Sequence, residues 1–95
     1  PKYLLQARYS AAGIQGLVSD SASGRQAGVQ AAVKALGGKV EPFYYAFGDD
    51  DAGTILELPN NTAAAALGLS ISGSGAVRAR TTPLLSVEEM DQALG

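Results

Sequence analysis

Hydrophobic and polar residues alternate along four short segments of the chain, and each of these segments predicts a β-strand. In the first, residues 2–9, Tyr3 and Gln6 fall on opposite faces of the strand. Successive side chains of a strand point to opposite faces, so the alternation separates a core side from a solvent side. The other predicted strands cover residues 38–47, 52–58 and 75–82. The second strand contains Pro42, which cannot donate a ladder hydrogen bond and therefore belongs at a sheet edge or a bulge.

Three further segments repeat apolar residues every three or four positions, which is typical of amphipathic helices. They run from about Ser23 to Leu36, from Asn60 to about Ser72, and from Ser86 to Leu94. The last one places Ser86 and Glu89 at the spacing of a capping box, which satisfies free backbone N–H groups at a helix start. Ser10 can cap a shorter helical turn, which the segment SDSASG then interrupts.

The order of these elements is βαββαβ with a terminal helix, which predicts an α+β fold of the ferredoxin-like type. Right-handed crossovers then give a four-stranded antiparallel sheet in the order 4-1-3-2, with both long helices on one face and a short C-terminal helix in addition. The second strand falls at a sheet edge, where Pro42 is allowed. A chain of 95 residues forms one core, so we expect a single domain over residues 1–95.

Composition and charge exclude several classes of function. The net charge of -2 argues against nucleic acids and anionic membranes as partners, because both demand a basic surface. The chain contains no Cys and no His, which excludes a thiolate nucleophile, an imidazole base and a thiolate zinc site. No run of about 18 apolar residues and no secretory leader is present, so we expect a cytoplasmic protein. We also expect no cofactor.

Three consecutive aspartates, Asp49, Asp50 and Asp51, join the second and third predicted strands. Aspartate and glycine tolerate turn geometry, so a hairpin loop is the favoured interpretation. A hard cation such as Mg²⁺ or Ca²⁺ accepts carboxylate ligands, but adjacent residues point alternately and the spaced aspartates of a calcium loop are absent, so no metal is expected. A third interpretation places one aspartate at the end of the third strand, pointing into a cleft as a proton acceptor.

This loop and its flanks resemble the GYD-domain family, whose members are small and mostly bacterial. The resemblance extends over PKYLLQARY, ALGGKVE, FYYAFGDDD, LPNNTAAAAL and SGAVRARTTPLLSVEEMDQAL. The family's Gly-x-Tyr-Asp motif aligns with residues 48–51, so Gly48 and Asp51 match and Asp50 stands at the tyrosine position. If the tyrosine hydroxyl has a chemical role in the family, this chain lacks it; if the tyrosine only packs, the substitution is a surface change. The resemblance implies a ferredoxin-like fold of the dimeric α/β-barrel type and transfers no mechanism.

The face of the sheet that the helices leave open is the candidate binding surface. Alternation assigns to it Gln6, Arg8, Glu41, Phe43, Tyr45, Glu57, Arg78 and Arg80. An arginine among these residues could hold a small organic anion such as a carboxylate while a ring stacks on Phe43 or Tyr45. We therefore take Arg8, Tyr45, Glu57, Arg78 and Arg80 as candidate ligand-binding residues. The favoured alternative is a homodimer interface, and both can hold because facing sheets enclose pockets.

Residues 58–77 carry no charged side chain, which favours close approach by another subunit or simply reflects a tolerated alanine-rich helix. The sequence as a whole predicts a small homo-oligomer, at least a dimer, that binds a small organic anion. The alternative is a cofactor-free oxygenase or isomerase of the dimeric α/β-barrel type. In that enzyme one of the three arginines would hold the substrate, and Asp51 or Tyr45 would move protons.

Overall fold

The fold is known from a computed structural model that describes residues 1–73 and 75–95. Its strands are β1 (Lys2–Tyr9), β2 (Lys39–Tyr45), β3 (Ala52–Glu57) and β4 (Val77–Pro83). Its helices are α1 (Ala11–Ser19), α2 (Ala22–Ala35), α3 (Asn61–Ser72) and α4 (Val87–Leu94). Within the described ranges, no helix is long and apolar enough to cross a membrane.

The four strands form one antiparallel sheet in the order β2-β3-β1-β4. This is the predicted order 4-1-3-2 seen from the opposite edge, so the ferredoxin-like prediction is confirmed. β1 and β3 occupy the centre, and β2 lies at an edge. The missing N–H of Pro42 is tolerated at that edge because one side of the strand has no neighbour to accept from it.

A β-bulge in β2 interrupts the regular alternation of its side chains. Val40 lies opposite Leu56, but the next aligned pair is Phe43 with Thr54, so β2 carries one residue more than β3 over this interval. An extra residue shifts every later side chain to the other face of the sheet. The buried Thr54 hydroxyl donates a hydrogen bond of 2.7 Å to the Pro42 carbonyl and so ties the bulge to β3.

The bulge corrects the predicted positions of two aromatic rings. Phe43 lies opposite Thr54 and Tyr45 lies opposite Ala52, and these two β3 residues are buried beneath the helices. Residues directly opposite each other on paired strands point to the same face. Phe43 and Tyr45 therefore lie on the helix side, and their predicted placement on the open face is wrong.

The hydrophobic core lies between one half of the sheet and the two long helices. It contains Tyr3, Leu5, Leu56 and Leu58 from the sheet side, Val33 from α2, and Ala64 and Leu67 from α3. Full burial of a large apolar side chain stabilises a fold by about 1.5–3 kcal/mol. The phenol of the buried Tyr3 donates a hydrogen bond of 2.6 Å to the Asn61 side chain, which ties the core to the start of α3. Both long helices thus pack on one face, as predicted.

Side-chain caps fix where the helices begin. Ser10, Ser21, Asn60 and Ser86 each accept a hydrogen bond from the backbone N–H three residues later. The predicted capping box of Ser86 and Glu89 is present. The region after β1 differs from the prediction: α1 is a helix of 9 residues rather than a single turn. Every residue of α4 is exposed, including the apolar Val87 and Leu94, so this helix leaves an unpaired amphipathic face.

Candidate functional site

The open face of the sheet carries most of the charged side chains predicted to bind a ligand. Arg8 on β1 lies directly opposite Arg78 on β4, and Gln6 lies opposite Arg80. Glu57 on β3 lies opposite Lys2, at the other end of β1 from Arg8. Six residues of a strand span about 20 Å. The structure therefore brings the three arginines to one end of the face and leaves Glu57 remote from them.

Glu57 belongs to a separate ion-pair group with Lys2 and Glu41. The Lys2 ammonium is bonded to the Glu41 carboxylate and lies 3.7 Å from that of Glu57. Glu57 also lies 2.9 Å from the N-terminal amine of Pro1. The hydrogen bond to Glu41 raises the pKa of Lys2, and the hydrogen bond from the N-terminal amine lowers the pKa of Glu57. These charges neutralise one another at this end of the open face.

Asp50, whose side chain reaches the open face, neutralises Arg80. Its carboxylate oxygen Oδ2 lies 2.7 Å from the Arg80 guanidinium and accepts a hydrogen bond of 3.2 Å from the Gln6 amide. The Asp50 side chain is only 21% exposed, although it comes from the loop between β2 and β3. The loop thus folds back over the open face and occupies one of the three arginines.

Asp51 holds the loop to the sheet. Its carboxylate accepts a hydrogen bond of 2.8 Å from the Tyr9 backbone N–H. Its backbone carbonyl accepts from Ala46 at 2.9 Å, which closes the connection between β2 and β3. The hairpin interpretation of the three aspartates is therefore confirmed. The carboxylates of Asp50 and Asp51 have different partners, and Gly48 lies exposed at the tip with open space where a Cβ would be.

Arg8 and Arg78 are the two arginines that keep their charge available. Both are exposed, and in the described parts of the chain neither forms an ion pair with a carboxylate. They line a depression of about 480 Å³ together with Ser10, the N-cap of α1, and Ser72 at the end of α3. Two like charges directly opposite each other on neighbouring strands destabilise the sheet. An anion between the two guanidinium groups would reverse that effect.

Tyr45 does not belong to this arginine site. Its hydroxyl donates a hydrogen bond of 3.0 Å to the Ala22 carbonyl at the start of α2, and its ring meets that of Phe43 edge to face at a centroid distance of 5.4 Å. The sequence pattern did not identify two residues of the cluster around Tyr45. They are Tyr9 of β1, which lies beside Tyr45, and Arg25 of α2, which lies near Tyr9. The signal that could have found this cluster was Pro42, which indicated a bulge as well as an edge.

Comparison with known proteins shows which family the chain belongs to. The model of the GYD domain family matches residues 3–94, which is nearly the whole chain. The chain therefore belongs to the GYD domain family. No curated protein and no solved structure matches it.

Proposed function

We propose that the protein binds a small organic anion between Arg8 and Arg78, and that it does so as a homodimer whose open sheet faces meet. The observation that carries this proposal is the pair of opposed, exposed arginines without a carboxylate partner in the described residues. Arg80, two residues along β4, supplies the contrast because Asp50 already neutralises it. A guanidinium group binds a carboxylate through two parallel hydrogen bonds, so the free pair suits an anion.

The open face has an apolar centre that suits contact with a second copy of the chain. Leu4 and Ile55 lie directly opposite each other there and remain half-buried, with charged side chains around them. A sheet of four strands, each about 7 residues long, covers roughly 440 Å² in projection. A stable interface buries about 800 Å² per partner. The helix that follows β4, α4, has exposed apolar side chains, Val87, Met90 and Leu94, that could contribute further area.

Catalysis at the arginines has less support than binding. The enzyme interpretation places Tyr45 or Asp51 beside the bound substrate as a proton carrier. Tyr45 lies on the other side of the sheet, and the Asp51 carboxylate already accepts a hydrogen bond from the Tyr9 backbone. General acid–base catalysis requires the carrier within hydrogen-bond reach of the reacting proton. The geometry thus favours a binding protein over the oxygenase or isomerase alternative.

Thermal unfolding with malonate and benzoate tests the anion site. A ligand present at ten times its Kd stabilises the folded state by about 1.4 kcal/mol, which raises the Tm of a domain of this size by roughly 6–11 °C. We expect Arg8→Gln and Arg78→Gln to remove most of this rise. Arg80→Gln is the matched control and should retain it. Benzyl alcohol, which lacks the charge, should have little effect. An equal loss in all three variants would contradict the proposed pair.

Sedimentation equilibrium tests the dimer. The wild type should show about twice the chain mass of 9.6 kDa. Leu4→Glu places a charge in the centre of the open face and should give the monomer mass, because an unpaired buried charge destabilises an interface. Ala27→Glu changes an exposed position of α2 on the opposite side of the molecule and should remain dimeric. A monomeric wild type would refute the proposed assembly while leaving the arginine pair to be judged by the ligand experiment.

A further inference from the structure

A second cavity lies on the helix side of the sheet, opposite to the face that carries the Arg8 and Arg78 side chains. It has a volume of about 470 Å³, is partly open to solvent, and is lined by the sheet, α1, α2 and the end of α3. Leu5, Phe43 and Val77 contribute apolar surface from the sheet, and Val29 and Ile71 contribute it from the helices. Pockets of about 300–1,000 Å³ accommodate small organic molecules. The space is therefore large enough for a ring compound.

Small residues keep this cavity open. On the sheet, Ala7 and Ala52 replace the large side chains that fill the core nearer Tyr3. On α2, Gly28 lines the cavity, and a Cβ at this position would meet no atom within 4 Å. A glycine inside a helix is about 1 kcal/mol less favourable than alanine. Neither close packing nor a positive φ requires glycine at this position. The missing side chain leaves free space in the cavity.

Polar groups stand at one end of the cavity. Tyr9 and Arg25 both line it, and the Arg25 guanidinium lies 3.9 Å from the Asp20 carboxylate at the same end. Burial, and after it the neighbouring Tyr45, raises the pKa of Tyr9. The Tyr9 phenol therefore remains a neutral hydrogen-bond donor at physiological pH. Because Asp20 balances Arg25, these charges do not select an anion.

We propose that this cavity binds a small, uncharged, mainly apolar ring compound with one hydrogen-bond-accepting oxygen, which Tyr9 recognises. The apolar walls exclude a ligand with several charges, since burying an unpaired charge is strongly unfavourable. The Tyr9 hydroxyl, at the polar end of the cavity, orients a single carbonyl group there. The cavity adjoins the arginine depression, since Tyr9 and Val77 line both, but the Arg8 side chain points to the opposite face of the sheet from that of Tyr9.

Binding of the fluorescent compound N-phenyl-1-naphthylamine tests the cavity. We expect its emission to rise on addition of the wild-type protein and to follow a saturable curve with one site per chain. Gly28→Phe fills the cavity from α2 and should weaken this binding at least tenfold without lowering the Tm. Gln30→Phe, an exposed position about 200° further around the same helix, is the matched control and should bind as the wild type does.

Displacement of the fluorescent compound by 1-tetralone, a ring ketone, tests the role of Tyr9. Tyr9→Phe removes one hydroxyl and should weaken tetralone about fivefold, as expected for one hydrogen bond. It should change the affinity for N-phenyl-1-naphthylamine less than twofold. Equal weakening of both compounds would overturn the role assigned to Tyr9.

Two results would overturn the cavity proposal itself. One is no saturable binding to the wild type, and the other is binding that Gly28→Phe leaves unchanged. Arg78→Gln, which disrupts the anion site, should leave the binding of both ring compounds unaltered. The two proposed sites can therefore fail independently of each other.

Discussion

Replacing Thr54 by valine should loosen the bulge that sends Tyr45 to the helix side. Thr54 is 4% exposed, and its hydroxyl donates a hydrogen bond of 2.7 Å to the Pro42 carbonyl. Valine has the same shape and leaves no cavity, so the change removes the hydrogen bond alone. The carbonyl of the bulge would then lose its partner in β3.

The expected loss of unfolding free energy depends on how far the Pro42 carbonyl is exposed to water. A buried polar group left without its partner costs about 1–3 kcal/mol. Pro42 is itself exposed on an edge strand, so water can replace part of the lost bond. We therefore expect Thr54→Val to lower the free energy of unfolding by about 1–2 kcal/mol. For a domain of this size that corresponds to a fall in Tm of roughly 4–16 °C.

Urea denaturation followed by circular dichroism measures this difference. Thr82→Val makes the same chemical change at an exposed position of β4 and should stay within about 0.5 kcal/mol of the wild type. Relative to the wild type, Thr54→Val should accelerate amide hydrogen exchange more in β2 than in β1. If Thr54→Val is as stable as Thr82→Val, the hydroxyl does not hold the bulge and the reasoning is refuted.

Three further outcomes are expected. Gly13→Ala should lower the free energy of unfolding by about 1–2 kcal/mol in urea denaturation, because a Cβ there would overlap the Ala76 carbonyl and overpacking outweighs the gain in helix propensity. Asp50→Asn should enlarge the malonate-induced rise in Tm, because it frees a third arginine on the open face. The hydrogen bond from the Ser86 backbone lowers the pKa of Glu89, so the capping box should support α4 above the unfolded-state pKa and be lost as pH falls through the folded-state pKa. An NMR titration of the Ser86 amide should show a midpoint below the usual glutamate value.

The topology was predictable because local signals agreed with one another. Strand alternation, capping residues and the position of Pro42 all indicated the same antiparallel order. The length of α1 was not predictable in the same way. Its sequence contains Gly13 and Gly16, which weaken helix propensity, and the helix forms because Gly13 packs closely against the backbone near Ala76. That contact joins residues distant in sequence, so no local pattern reveals it.

The candidate site was predictable only in part, for a similar reason. Alternation placed Arg8, Arg78 and Arg80 on one face, but it could not show that the loop carboxylate of Asp50 reaches one of them. Tyr45 was misplaced because alternation counts residues and a bulge adds one. The bulge is hydrogen-bonded to the Thr54 hydroxyl, which belongs to the neighbouring strand. Both effects arise from the fold rather than from the local sequence.

The strands differ in how strictly they must alternate, and charge explains the difference. A shift of β1 or β4 by one residue would turn Arg8, Arg78 and Arg80 into the core, and the burial of unpaired guanidinium groups opposes that register strongly. β2 carries no arginine and is exposed over much of its length at the edge, so an extra residue there buries no charge. Alternation therefore predicts reliably which face a side chain occupies on β1 and β4, where one face is charged and the other apolar. It predicts this poorly on β2. The arginine site rests on β1 and β4, and the cavity on the helix side receives Phe43 from β2.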